Sequence, residues 1–213
     1  MKKIFILLLM LALNLLIAQN ETKFKRFSFE TGVFIPINNL NTKLDVSPQF
    51  GFWYLTKVDH DDVLELGFLV TIPQGKEKFN WTGEDSIYQV KAKDIEFKVG
   101  AKMNKIYNTR RFIKSSSFAW TSGFGVSVLA FEDKENPNND TGTYTNEKGE
   151  KYSVIDWNLK GLTSFYLSQG IGLQTNRFEV NLNYYYVPYN YFSDKIESDF
   201  GAHSLSFTMH YKL

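Results

Sequence analysis

From His203 to Leu213 the chain alternates without a break. Leu205, Phe207, Met209, Tyr211 and Leu213 fall on one face, and Ser204, Ser206, Thr208, His210 and Lys212 on the other. A period of two is the signature of a β-strand with two unlike sides. A strand this apolar needs a neighbour, and a closed barrel supplies one by pairing its last strand with its first.

The same two-faced pattern recurs upstream and predicts eight strands. The first, Phe27 to Ile35, sets Phe27, Phe29, Thr31, Val33 and Ile35 against Ser28, Glu30 and Gly32, and Pro36 ends it for want of an N–H. The second, Phe50 to Thr56, has no clean alternation, because Phe52, Trp53, Tyr54 and Leu55 are consecutive. The third, Leu64 to Ile72, opposes Leu64, Leu66, Phe68, Val70 and Ile72 to Glu65, Gly67, Leu69 and Thr71. The fourth ends at Met103 and opposes Ile95, Phe97, Val99, Ala101 and Met103 to Glu96, Lys98, Gly100 and Lys102. The fifth spans Phe118 to Phe131. The sixth runs through Phe165, Leu167, Ile171 and Leu173. The seventh opposes Phe178, Val180, Leu182, Tyr184 and Tyr186 to Glu179, Asn181, Asn183 and Tyr185, and the terminal strand is the eighth.

The apolar faces of the clear strands carry no charge. The opposite faces hold Glu30, Glu65, Glu96, Lys98, Lys102, Glu179, His210 and Lys212 among Ser, Thr, Asn and Gly. Apolar outside and polar inside is the pattern of a barrel in lipid. The charged set then forms an interior polar network with a structural role, since eight strands enclose only enough space for side chains to fill. The expected fold is therefore all-β: a closed antiparallel up-and-down transmembrane barrel of eight strands.

Connections alternate in length. Those after the second, fourth and sixth strands are about 6 residues (Lys57 to Asp62), about 14 (Asn104 to Ser117) and about 3, while the others reach about 14 or more. Short turns therefore gather at the end holding the N-terminus, and long loops at the other. Two long loops carry hairpin signals. Phe79 to Thr82 pairs with Ile87 to Val90 across Gly83-Glu84-Asp85, and Thr143 to Thr145 with Tyr152 to Val154. Insertion of either one would raise the count to ten strands, but their mixed charge argues against it.

Residues 1–19 read as a signal peptide: Lys2 and Lys3, the apolar run Ile4 to Leu13 extended by Leu15 to Ile17, and Ala18 before Gln19. Residues 20–213 are then one barrel domain. The chain has no cysteine, which excludes a lipid-modified N-terminal Cys and any disulfide. A net charge of +1 offers no field for nucleic acid. Aromatic residues are 16% of the chain, with 12 Tyr and 19 Phe, which suits rings at two membrane interfaces. Mean hydropathy is only −0.28, because a barrel hides its membrane band in alternate residues.

With Glu30-Thr31-Gly32-Val33-Phe34-Ile35-Pro36, the glycine-rich Gly123-Phe124-Gly125 and Gly170-Ile171-Gly172, and the terminal alternation, the chain resembles small outer-membrane β-barrels of the OmpA/OmpX type. It is most similar to the outer-membrane β-barrel domain common in Bacteroidetes. The resemblance covers nearly all of residues 20–213. It departs at the end, where Leu213 stands in place of the usual aromatic residue.

No catalytic, cofactor or metal site is expected. His60 lies among Asp59, Asp61 and Asp62 in a polar turn, which seldom converges ligands on one point. His203 and Ser204 are adjacent in a strand and so point to opposite faces. His210 belongs to the inward set. Asn136 to Asp140 lacks the glycine and glutamate of a calcium loop. The Tyr184 to Phe192 cluster reads as an interfacial girdle. The expected role is non-enzymatic: a structural or surface-contact protein acting through its outer loops, or an accessory subunit of an envelope export or uptake complex. Its partners would be outer-membrane lipid and envelope proteins. The alternatives are a lipid-modifying barrel enzyme and a soluble periplasmic barrel for a lipophilic ligand, which would need an apolar interior.

Overall fold

In a computed structural model, residues 26–59, 61–83, 87–92, 95–108, 116–132, 143–145, 151–153, 159–175 and 177–213 are described. The signal segment 1–19, His60 and Asn136 to Asp140 lie outside them, as does most of the Glu132 to Trp157 loop. The elements are β1 (Phe27–Pro36), α1 (Leu40–Lys43), β2 (Leu44–Asp45), β3 (Ser47–Lys57), β4 (Asp62–Thr71), β5 (Gln74–Gly75), β6 (Phe79–Thr82) and β7 (Ile87–Val90). They continue with β8 (Ile95–Asn108), β9 (Ser117–Glu132), β10 (Thr143–Thr145), β11 (Lys151–Ser153), β12 (Leu159–Gln174), β13 (Phe178–Tyr186), α2 (Tyr189–Phe192) and β14 (His203–Lys212).

Eight strands close into an antiparallel barrel in the order β1-β14-β13-β12-β9-β8-β4-β3, with β3 returning to β1. The terminal strand makes the seam. It pairs with β1 from Ser28↔Lys212 to Pro36↔Ser204, and the Leu213 N–H donates to the Phe27 carbonyl at 2.8 Å. Among the described residues no helix is long and apolar enough to cross a membrane.

Several details differ from the sequence expectation, among them the start of β3 at Ser47, not Phe50, and the unforeseen β2–β5 pair. β8 runs past Met103 to Asn108 and pairs with β9 as far as Asn108↔Ser117. The strand pairing therefore ends at Asn108↔Ser117, later than the Asn104 to Ser117 turn expected from the sequence. Lys105 breaks the apolar face there, but a backbone ladder continues whether or not its side chains are apolar. β11 is Lys151–Ser153, one residue earlier than Tyr152 to Val154. Two one-turn helices, α1 and α2, have no signal in the sequence pattern. The β6–β7 hairpin pairs Phe79↔Val90 to Thr82↔Ile87, and both outer hairpins stand outside the barrel.

The ambiguous strand is resolved. Phe50, Phe52 and Tyr54 of β3 face outward at 39%, 37% and 41% exposure, while Trp53 and Leu55 are buried inside. Around the outer face Phe27, Phe52, Phe68 and Phe97 form a row of rings with centroids 5.6 to 6.4 Å apart. Asp62 and Lys105 pair at the short-turn rim, and between the two rims no outward strand position is charged. Tyr54, Tyr107 and Tyr211 lie toward one rim, and Tyr184 and Tyr186 toward the other.

Two arginine substitutions on β8 test the position of the apolar belt. Val99 is outward between Phe68 and Val126, and Tyr107 is outward near the rim. Val99→Arg should destabilise the barrel in lipid by about 2–4 kcal/mol, and Tyr107→Arg by about 0–1. Folding titrations into phospholipid vesicles measure both, and equal costs would displace the belt.

Candidate functional site

The inward residues of β1, β3, β8 and β14 meet at Glu30. Its Oε2 accepts from Trp53 Nε1 at 2.6 Å and Lys102 Nζ at 2.8 Å, and lies 3.4 Å from His210 Nε2. The fold dictates this convergence. Glu30 is in register with His210 on one side and Gly51 on the other. Gly51 places no side chain in the lumen, so Trp53 and the long Lys102 can reach across. Lys102 Nζ also sits 3.8 Å from the Trp53 ring centroid, a cation–π contact. Gln49 Nε2 donates to Ser206 Oγ at 2.9 Å and extends the network.

Two further pairs share the lumen. Lys212 Nζ is 2.8 Å from Glu179 Oε2, and Asn104 Nδ2 donates to Glu65 Oε1 at 2.8 Å. Nearer the long loops, Lys98 Nζ lies 2.5 Å from Glu96 Oε2 and between the Phe34 and Tyr185 rings. Glu96 Oε1 accepts from the Tyr189 hydroxyl at 2.9 Å, and Tyr189 shares a 2.6 Å contact with Ser127 Oγ. Burial, and then the Glu96 charge, hold the Tyr189 phenol well above its ordinary range, so it stays a donor.

Glu30, Glu65, Glu96, Lys98, Lys102, Glu179, His210 and Lys212 thus all point inward, each at most 6% exposed. Beside the Glu179–Lys212 pair and Glu65, two clusters stand out. Glu96 and Lys98 meet Tyr189 at the loop side, and the Glu30–Lys102–His210 cluster lies deeper. Four carboxylates face three lysines and a histidine. Near-balance is what burial demands, because an unpaired buried charge costs several kcal/mol. Glu65 Oε2 and Ser28 Oγ, among others, have no hydrogen-bond partner among the described residues.

Trp53, Gln49 and Tyr189 also belong to the network, and the sequence pattern did not reveal them. Trp53 was hidden because both faces of β3 are apolar. Tyr189 lies in a loop and enters the lumen only through tertiary packing.

Above the lumen sits an apolar cap. Phe79 of β6 packs edge-on against Phe200 at 4.9 Å and Phe131 at 5.6 Å, and Trp81 against Phe131 at 5.3 Å. Leu40, Leu44, Val90 and Ile196 join the same buried cluster. The hairpin is held by a Trp81↔Ile196 bridge and by the Thr82 N–H donating to the Lys195 carbonyl at 2.8 Å. The alternation of Phe79 and Trp81 is the sequence signal for this cap.

Beside the cap, the first and last long loops frame a cleft of about 370 Å³ lined by Asn38, Asn39, Tyr186, Tyr191, Asp199 and His203, among others. Two left-handed residues shape it: Asn38 at φ 54° and Gly201 at φ 94°. Only glycine adopts the latter without strain, and the Leu40 backbone packs against it. Asn190 Nδ2 donates to the Ser198 carbonyl at 2.7 Å. His203 faces outward, its Nδ1 2.5 Å from the Tyr184 hydroxyl, whereas Ser204 is buried inside. The lining has one carboxylate and no lysine or arginine, which suits a neutral, hydrogen-bonding ligand better than an anion.

The Glu30 cluster has a measurable coupling. Glu30→Leu strands Lys102 beside His210 and should cost about 3–5 kcal/mol. Adding Lys102→Met removes the stranded charge and should recover part of that loss. Urea unfolding of the barrel in detergent compares the two. A double variant as unstable as the sum of the single ones would mean that the groups are not coupled.

No protein-family model matches the chain, and no curated protein matches it. Among solved structures it is similar to Ail, the attachment invasion locus protein of Yersinia pestis. In complex with the heparin analogue sucrose octasulfate, that structure is 12% identical at a TM-score of 0.38, over 88% of this chain and 95% of that one. The backbone structure of the same outer membrane protein in a phospholipid bilayer nanodisc is 14% identical at a TM-score of 0.37, over 89% and 100%.

Proposed function

We propose that this chain is a non-enzymatic outer-membrane barrel with a sealed lumen, which makes contacts through its long-loop end. The observation that carries the reading is the outward belt. It is uncharged between its rims around the whole cylinder and apolar at most of its positions, and tyrosines lie toward both ends. In water such a surface would drive association, whereas in lipid it is the stable arrangement. Closure supports the same reading, because hydrocarbon offers no partner for an open strand edge. The basic and apolar segment at 1–19 supplies the export signal.

The soluble ligand-binding alternative needs the reverse polarity: an apolar lumen and a charged exterior. The enzyme alternative needs a base beside a nucleophile. His210 faces Glu30 inside the wall, and His203 is turned to Tyr184 on the side opposite Ser204. Outer-membrane lipid is the barrel's solvent. Envelope proteins would meet the loops, either for adhesion or as partners in an export or uptake complex. The cleft beside Tyr191 lies at that end.

Two measurements test the reading. The protein should fractionate with the outer membrane and migrate faster unheated than boiled in detergent gels. Release as a soluble species would overturn it. Purified protein in planar bilayers should give almost no conductance, since ion pairs and the aromatic cap fill the lumen. A large, steady single-channel current would overturn the seal.

A further inference from the structure

One polar pair interrupts the outward belt. Ser122 of β9 and Gln169 of β12 are directly opposed, and Ser122 Oγ donates to Gln169 Oε1 at 3.2 Å. Both lie five residues from the short-turn ends of their strands, at Ser117 and Gln174. With a rise of ~3.3 Å per residue and the usual tilt, that is about 12 Å above the ends of those two strands, inside the belt. Along the two strands the pair is flanked by Trp120 and Ile171 toward the turns and by Phe124 and Leu167 toward the loops, and across the sheet by Met103 and Tyr184.

In lipid, a glutamine on this face meets acyl chains and not bulk water. Its amide offers two donors and two lone pairs, and the serine uses one of them. The Nε2 has no partner among the described residues. Exchanging the amide oxygen and nitrogen would leave the oxygen unpaired instead, so the deficit does not depend on how the amide is oriented. An unpaired amide in hydrocarbon costs several kcal/mol. Acyl chains cannot satisfy it.

We infer that Gln169 and Ser122 mark a lateral seat for a second copy of this chain. A primary amide is complementary to itself: across a two-fold axis, each N–H donates to the other's carbonyl. That is the isologous contact of a cyclic dimer, and it needs no charge, consistent with the uncharged belt. The surrounding side chains are shaped for packing. Phe124 is 64% exposed, more than any other apolar side chain described in the barrel strands, and Leu167 is 51% and Leu182 44% exposed. This inference rests on the membrane reading.

The absence of cysteine makes a clean test possible. Leu167→Cys places a reporter beside Gln169. Phe52→Cys on β3 places one across the barrel. Each variant is reconstituted at high lipid-to-protein ratio and oxidised with copper–phenanthroline, and gel mobility before and after heating reports insertion in the same samples. Leu167→Cys should form disulfide dimers roughly tenfold more than Phe52→Cys, and Gln169→Leu should remove the excess. Gln169→Asn should keep part of it. Inserted barrels with equal yields at the two sites, or an excess that survives Gln169→Leu, would overturn the interface and leave the membrane reading standing. Excess cross-linking only when another membrane protein is added would assign the seat to that partner and overturn the self-association. Failure to insert would overturn both.

Discussion

The β1–β14 seam is the constraint on which the rest depends. Eight strands leave no free edge only if the last pairs with the first, and here the ladder runs from Ser28↔Lys212 to Pro36↔Ser204. Once closed, the cylinder has a fixed inside and outside, and the period of two assigns each strand residue to one of them. A slip of one residue at the seam would turn His210 and Lys212 toward lipid and Phe207 and Tyr211 into the lumen. Glu30 secures the register from inside. It sits opposite His210 and binds Trp53 and Lys102 on two other strands, so four strands are tied by one carboxylate.

Side chains fill most of an eight-strand lumen, so its charged groups pair largely with one another. The arrangement is graded along the axis. Ion pairs and amides occupy the deeper part, Glu96, Lys98, Ser127 and Tyr189 the part beneath the loops, and the Phe79–Phe131–Phe200 cluster lies on top. Tyr189 joins the two upper layers, since its ring packs 6.2 Å from Phe200 while its hydroxyl reaches Glu96. The last long loop is therefore anchored to the barrel interior, and it also forms one wall of the cleft. Rigid support beneath a loop surface is what allows loops to present a defined contact.

The sequence by itself determined the parts governed by local period and charge. The sequence pattern placed all eight barrel strands and the faces of seven, put Glu30, Glu65, Glu96, Lys98, Lys102, Glu179, His210 and Lys212 on one side, and located the β6–β7 hairpin. It could not orient β3, whose faces are both apolar, nor see that β8 continues to Asn108, since pairing there depends on the backbone of β9. Only the tertiary structure decided which inward groups meet. Lys102 reaches Glu30 across strands far apart in sequence, and Tyr189 enters from a loop with no periodic signal. The polar pair in the belt shows the same division: Ser122 and Gln169 stand 47 positions apart, and only the β9–β12 register makes them neighbours. Period reports which way a side chain points, but its partners are set by closure.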